Sequence, residues 1–103
     1  MILRRIAVAV GVLGLLSTSI VAHAGDPAAG KIKANTLCAG CHGAQGEGKG
    51  NFPAIKGQAA ADLVSAMQAY KSGSRKDPTM NAIFKGMNDE DIENMAAYYS
   101  AIK

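Results

Sequence analysis

The 103-residue sequence is poor in the large side chains that usually fill a protein core. It has no tryptophan, two phenylalanines and three tyrosines. After residue 24 there are 34 apolar side chains, but 15 of them are alanine. A chain of this length forms one domain at most, and a core this small is marginal by itself. The composition therefore predicts a single domain that needs a source of stability other than the packing of its own side chains.

Other absences exclude further classes. The sequence has no internal repeat, no low-complexity linker and no strand-like alternation of apolar and polar residues. The glycine-rich segment 43–57 follows no strand pattern and is not closed by Gly-Lys-Ser/Thr. We therefore interpret it as a wrapped loop rather than a phosphate-binding loop.

The first 24 residues contain the parts of a secretory signal peptide. Arg4 and Arg5 precede the uncharged run 6–16, which is followed by small and polar residues and by Ala22-His23-Ala24. We expect cleavage after Ala24, so that 1–24 is a signal peptide and 25–103 is an exported, periplasmic domain. An uncleaved anchor is the alternative, because 6–24 is 19 residues without a formal charge.

The basic character of the chain belongs largely to that segment. The formal charge is +3 and the pI is about 9.0, values that would suggest a nucleic-acid partner. Residues 25–103 carry nine basic and eight acidic side chains, which leaves +1. Nucleic acid therefore drops out as an expected partner.

Three helices are predicted in the mature region, over about 26–41, 59–72 and 89–102. Asp26 and Pro27 suit the N-cap and first position of the first helix. Gly73 is a natural end for the second helix, and Asn88 is the N-cap of the third. The expected fold class is all-α.

The strongest motif is Cys38-Ala39-Gly40-Cys41-His42. The pattern C-x-x-C-H marks covalent attachment of a c-type haem. On a helix, positions i and i+3 share a face, so both thiols can reach the vinyl groups of one porphyrin edge. The adjacent His42 is then placed to ligate the iron.

Three other interpretations of the cysteines fit less well. A thioredoxin-like redox pair needs a βαβ setting, and the sequence does not predict one. A disulfide between Cys38 and Cys41 would close a very short loop and stabilise little. A structural zinc site needs four nitrogen or sulfur ligands, whereas 25–103 has two cysteines and one histidine.

The second axial ligand of the iron is expected to be a methionine. His42 is the only histidine after residue 24, and methionine is the other common partner. Met67 and Met95 lie on apolar helix stripes, and Met87 can pack against Ile92 as a hydrophobic staple. Met80 has no such packing role and lies in a polar, extended stretch, so we assign it as the ligand. Met87 and an open iron face are the alternatives.

Together these segments resemble the class I c-type cytochromes, specifically the small bacterial monohaem cytochromes of the c-553 kind. The resemblance spans 25–103. It rests on Gly30 and on four segments: CAGCHG at 38–43, NFPAIKGQ at 51–58, YKSGSRKDPTM at 70–80 and NDEDIENMAAYYS at 88–100.

This resemblance implies three main helices and loops wrapped around one covalently bound haem c. The first and last helices are expected to cross near Gly30 and the Met95/Tyr98 region. It implies that Met80 is the axial methionine and that a backbone carbonyl, Pro53 or alternatively Gly50, accepts the other ring N–H of His42. Ala34 departs from the family pattern, because many relatives have an aromatic residue there.

The function implied is electron transfer in the periplasm between redox partner proteins, by a monomer that is not an enzyme. Lys71, Arg75, Lys76 and Lys85 form a candidate basic rim that would steer an acidic partner, or else are separate solvated side chains. Two rival hypotheses are a haem enzyme or gas sensor with Met80 off the iron, and a subunit of a larger oxidase or dehydrogenase.

Overall fold

The computed structural model describes residues 25–103, so the predicted signal peptide and its cleavage site lie outside the described residues. This range contains five helices: α1 (Pro27–Leu37), α2 (Ala39–His42), α3 (Ala60–Ser72), α4 (Pro78–Lys85) and α5 (Asp89–Ser100). Within 25–103, β pairing is limited to one isolated bridge between Lys49 and Phe52. The all-α class is confirmed. None of the helices in 25–103 has the length and apolar character needed to cross a membrane.

The predicted helix bounds need two corrections. The first predicted helix is divided at Cys38, whose φ of −111° and ψ of −38° separate α1 from α2. The stretch around Met80 is not extended: it forms α4, which begins at Pro78. Asp77 caps this helix by accepting from the N–H groups of Thr79 and Met80. The pair Asp77-Pro78 is the same start signal as the pair that begins α1.

The crossing of α1 and α5 depends on Gly30. A Cβ at this position would overlap the main-chain carbonyl of Asn94, so only glycine allows the two backbones to approach so closely. Ala34, one turn further along α1, is fully buried in the core. The Asn94 side chain also accepts a hydrogen bond from the Asp26 N–H at 2.8 Å, which ties the start of α1 to α5. The crossing lies in the predicted region.

The core lies where α3 and α5 meet, with α4 packed against α3. Met95 and Ile92 are fully buried on α5, and Leu63 and Met67 are buried on α3. Gly73 ends α3 in the left-handed conformation, as the sequence predicts. Asn88 caps α5 by accepting from the Asp91 N–H at 2.8 Å. This scaffold brings α2, α3 and α4 around one large cavity.

Candidate haem site

The C-x-x-C-H motif forms a single tight helical turn. The N–H groups of Cys41 and His42 both donate to the Cys38 carbonyl, at 3.2 and 2.9 Å. Both cysteines are free thiols; Cys38 is buried and Cys41 is half-buried. Burial raises the pKa of the Cys38 thiol, and a hydrogen bond with Tyr99 opposes part of that shift. The turn therefore presents two thiols and an imidazole from one short segment.

His42 is buried, and its orientation is set by a backbone carbonyl. The Nδ1 atom lies 2.7 Å from the carbonyl oxygen of Pro53, so Nδ1–H donates and Nε2 is left as the basic nitrogen. The Phe52 ring packs against the imidazole in a T-shaped arrangement, with centroids 6.0 Å apart. Pro53, rather than Gly50, supplies the carbonyl expected from the sequence.

The glycine-rich loop holds the Pro53 carbonyl in place. Lys49 and Phe52 exchange two backbone hydrogen bonds just before Pro53. After it, the N–H of Ile55 donates to the Gly46 carbonyl at 2.8 Å. Gly46 has φ +73°, and a Cβ there would press on the side chains of Tyr99 and Ile55. The loop is therefore wrapped, as predicted, and is anchored to α5 through this glycine.

A cavity of about 480 Å³ lies beside His42. Its lining is mostly apolar and is drawn from α1 to α4 and from the wrapped loop. Leu37, Cys38, His42, Phe52, Pro53, Ile55, Leu63, Met67, Tyr70, Met80, Ile83 and Phe84 are among the lining residues. A cavity of this size, with an apolar wall and a few polar groups, is typical of a cofactor site. Two free thiols, an oriented imidazole and thioether sulfurs are a donor set that fits a covalently attached haem.

Of the four methionines in 25–103, two line this cavity. Met80 is half-buried at the third position of α4, and Met67 is buried on α3. Met87 and Met95 lie in the core and are absent from the lining. The structure thus brings Met80 together with His42 and Cys38, and it adds Met67, for which the sequence predicts only a packing role.

The segment before Met80 is tightly organised. Arg75 lines the cavity, and its guanidinium lies 4.9 Å from the centre of the Tyr70 ring. Tyr70 in turn stacks on Phe84, with centroids 6.1 Å apart. Asn81, the residue after Met80, donates both of its amide hydrogens to main-chain carbonyls, those of Tyr70 and Arg75.

Only part of the candidate basic rim is placed to attract an acidic partner at the cavity. Lys71 is paired with Asp89 at 3.0 Å, and Gln68 donates to the same carboxylate at 2.8 Å. These two hydrogen bonds and the lysine charge lower the pKa of Asp89. Of the four basic residues, Arg75 alone belongs to the cavity lining, while Lys76 and Lys85 are exposed.

Comparisons with known proteins agree with this arrangement. The family model for cytochrome c matches residues 27–102. The chain is 44% identical over 82 residues to cytochrome c-554(548) of Halomonas halodenitrificans, covering 76% of this chain and 98% of that one.

Two solved structures extend the comparison. Cytochrome c4 of Acidithiobacillus ferrooxidans superposes with a TM-score of 0.73 at 30% identity, over 82% of this chain and 53% of that chain. A thiosulfate dehydrogenase of Marichromatium purpuratum gives a TM-score of 0.73 at 29% identity, over 77% of this chain but 20% of the enzyme. The chain therefore belongs to the cytochrome c family and transfers electrons through a covalently bound haem c.

Proposed function

We propose that this chain is a periplasmic one-electron carrier whose haem is attached through Cys38 and Cys41 and ligated by His42 and Met80. The observation that carries the proposal is that His42, with Nδ1 hydrogen-bonded to Pro53, and Met80 line the same cavity as Cys38. The bound haem supplies an iron that gains and loses one electron.

Different groups of the protein would attach the haem and orient the ligand of its iron. Cys38 and Cys41 lie on one turn and would form the two thioether bonds. The Pro53 carbonyl fixes the His42 ring and raises the basicity of Nε2, the ligating nitrogen. A carboxylate partner would do this more strongly, whereas a neutral carbonyl keeps the site free of an added charge.

Met80 decides between a carrier and an enzyme. With His42 and Met80 both bound, no position on the iron is open to a substrate, so the proposed chain is not an enzyme. Methionine ligation also raises the reduction potential. Asp77 supports this role, since its carboxylate holds the Met80 N–H at 3.0 Å and so fixes the start of α4.

Spectroscopy of the purified, exported protein tests this assignment. We expect a low-spin oxidised protein with the weak far-red band of sulfur-to-iron charge transfer. Met80→Ala should abolish that band, whereas the matched Met87→Ala and a Met67→Leu variant should retain it. Loss of the band in Met67→Leu instead would move the ligand to α3. A high-spin native protein that binds carbon monoxide rapidly would favour the haem enzyme or gas sensor.

A second candidate function is electron transfer within a larger redox enzyme. The similarity to one fifth of a thiosulfate dehydrogenase chain favours this possibility, because a fold like this one there forms part of a longer chain. Co-purification of the tagged, natively expressed protein distinguishes the two. A stable complex with a dehydrogenase or oxidase subunit supports the second candidate, and recovery as a free monomer supports the carrier.

Export and partner choice complete the proposal. Residues 1–24 would be removed after Ala24, leaving 25–103 as a monomer that meets both an electron donor and an electron acceptor in the periplasm. The mass of the protein recovered from the periplasm tests cleavage directly. Exposed basic groups beside the cavity, chiefly Arg75, would favour an acidic surface on a partner.

A further inference from the structure

The Asn81 side chain links three separate backbone positions. Its Nδ2 group donates to the carbonyls of Tyr70 and Arg75, each at 2.8 Å. Its Oδ1 accepts from the Asp77 N–H at 2.9 Å. Both amide hydrogens and the amide oxygen are therefore used, and the Asn81 N–H itself donates to the Asp77 carbonyl at 2.8 Å.

These bonds join the end of α3, the segment that connects it to α4 and the start of α4. Tyr70 belongs to the last turn of α3, Arg75 lies in the connection, and Asp77 is the N-cap of α4. Asp77 also accepts from the Met80 N–H at 3.0 Å. The Asp77 cap thus holds the Met80 backbone. Asn81, the next residue along the chain, links that cap to α3 through its hydrogen bonds.

We infer that Asn81 is the positioning residue that keeps the Met80 sulfur at the iron. The inference rests on the proposed function, in which Met80 is the axial ligand. Leu63 and Met67 of α3 line the cavity, so tying α4 to α3 sets the position of Met80 relative to the site. Without the Asn81 side chain, the start of α4 loses its hydrogen bonds to the end of α3 and to the connecting segment, and the sulfur is expected to leave the iron more often.

The chemistry of the position is specific for an amide. Two carbonyl oxygens face Nδ2, so this group must donate twice, while Oδ1 must accept once. Asn81→Asp keeps the size and the acceptor but turns a carboxylate oxygen toward the two carbonyls. Asn81→Ala removes all three side-chain bonds. Both variants should therefore loosen Met80, although Asn81→Asp leaves no cavity.

The test uses exchange of the axial ligand in the oxidised holoprotein. Imidazole added in excess binds the iron only when Met80 has left, so its limiting binding rate reports methionine dissociation. We expect the rate to rise about tenfold in Asn81→Ala, as loss of about 1.4 kcal/mol of hydrogen bonding would give. The far-red band should weaken in both variants.

Asn94→Ala is the matched control. It also removes an amide that joins two segments, because the Asn94 side chain accepts from the Asp26 N–H at the α1–α5 crossing. Asn94→Ala should lower the urea midpoint yet leave the imidazole rate within about twofold, because separated sites act independently. An Asn81→Ala protein with the unsubstituted rate and band would overturn the inference alone. Retention of the band in Met80→Ala would overturn the proposed ligand and the inference with it.

Discussion

The Nδ1 atom of His42 lies 2.7 Å from the carbonyl oxygen of Pro53, across eleven residues of chain. Because a main-chain oxygen makes this bond, its position depends on the fold of the loop 43–57 rather than on the identity of a side chain. Gly46 is one of the points at which that loop touches α5, since it lies against the Tyr99 ring. The orientation of the proposed haem ligand is therefore coupled to the packing of a glycine.

Gly46→Ala tests that coupling. Gly46 has φ +73°, and a new Cβ would press on the Tyr99 ring and on Ile55. We expect a loss of about 1–3 kcal/mol in the free energy of unfolding of the holoprotein, measured with urea. Gly86→Ala is the control, because Gly86 has φ −96° and an added Cβ there would meet nothing within 4 Å. Equal stability of the two variants would contradict the role given to Gly46.

The haem is expected to be part of the folded core. Cys38, Leu63, Met67 and Phe84 belong to the buried cluster and also line the cavity of about 480 Å³. In a Cys38→Ala/Cys41→Ala variant without haem, the apolar residues that line the cavity would have nothing to pack against. Domains of this size have only about 5–15 kcal/mol of stability, so that loss is large in comparison. We expect it to be largely unfolded by circular dichroism and rapidly digested by protease. A well-folded, protease-resistant apoprotein would contradict this expectation.

Asp89 gives a pH-dependent contribution to stability. Its pKa is lowered by hydrogen bonds from Gln68 and Lys71 and by the lysine charge, so the folded state favours the ionised form. That contribution is complete above the ordinary carboxyl pKa of about 4 and is lost as the pH falls through the lowered value. Asp89→Asn should therefore be less stable than the unsubstituted protein at neutral pH, with the difference shrinking in acid.

Glu90→Gln is the control for Asp89→Asn. It removes one negative charge from the same first turn of α5 but leaves the Lys71–Asp89 pair intact. Urea midpoints measured across the acid range should converge for Asp89→Asn and the unsubstituted protein as the pH falls. Similar pH profiles for both variants would mean that the helix dipole, rather than the Lys71 pair, accounts for the effect.

The sequence was most informative where one pattern has one structural meaning. The pair Asp26-Pro27 predicted the start of α1, and Gly73 and Asn88 predicted the end of α3 and the start of α5. The same Asp-Pro pair occurs at Asp77, but the stretch after it is interpreted from the sequence as polar and extended, so no helix is predicted there. Its apolar positions, Met80, Ile83 and Phe84, are spaced i, i+3 and i+4, which is a helical face.

Other features depend on contacts that no local pattern contains. The Asn81 bonds join residues up to eleven positions apart, and the two carbonyls that its amide meets are placed by the way α3 ends. Likewise, Lys71 looked like part of a basic rim because its partner Asp89 is eighteen residues away. The assignment of Met80 as the axial ligand stays a prediction. In the structure, Met67 and Met80 are the two methionines of 25–103 that line the cavity.

The pairing of Lys71 leads to a prediction about reaction rates. If basic groups beside the cavity steer reagents, Arg75 should matter and Lys71 should not, since Asp89 already neutralises Lys71. Arg75→Gln and Lys71→Gln change the net charge equally. Oxidation by ferricyanide at low ionic strength should slow about two- to threefold in Arg75→Gln and remain nearly unchanged in Lys71→Gln.

A cationic cobalt oxidant should not be slowed by Arg75→Gln, and added salt should remove the ferricyanide difference. Equal slowing by both substitutions would show that net charge, rather than the position of Arg75, governs the encounter.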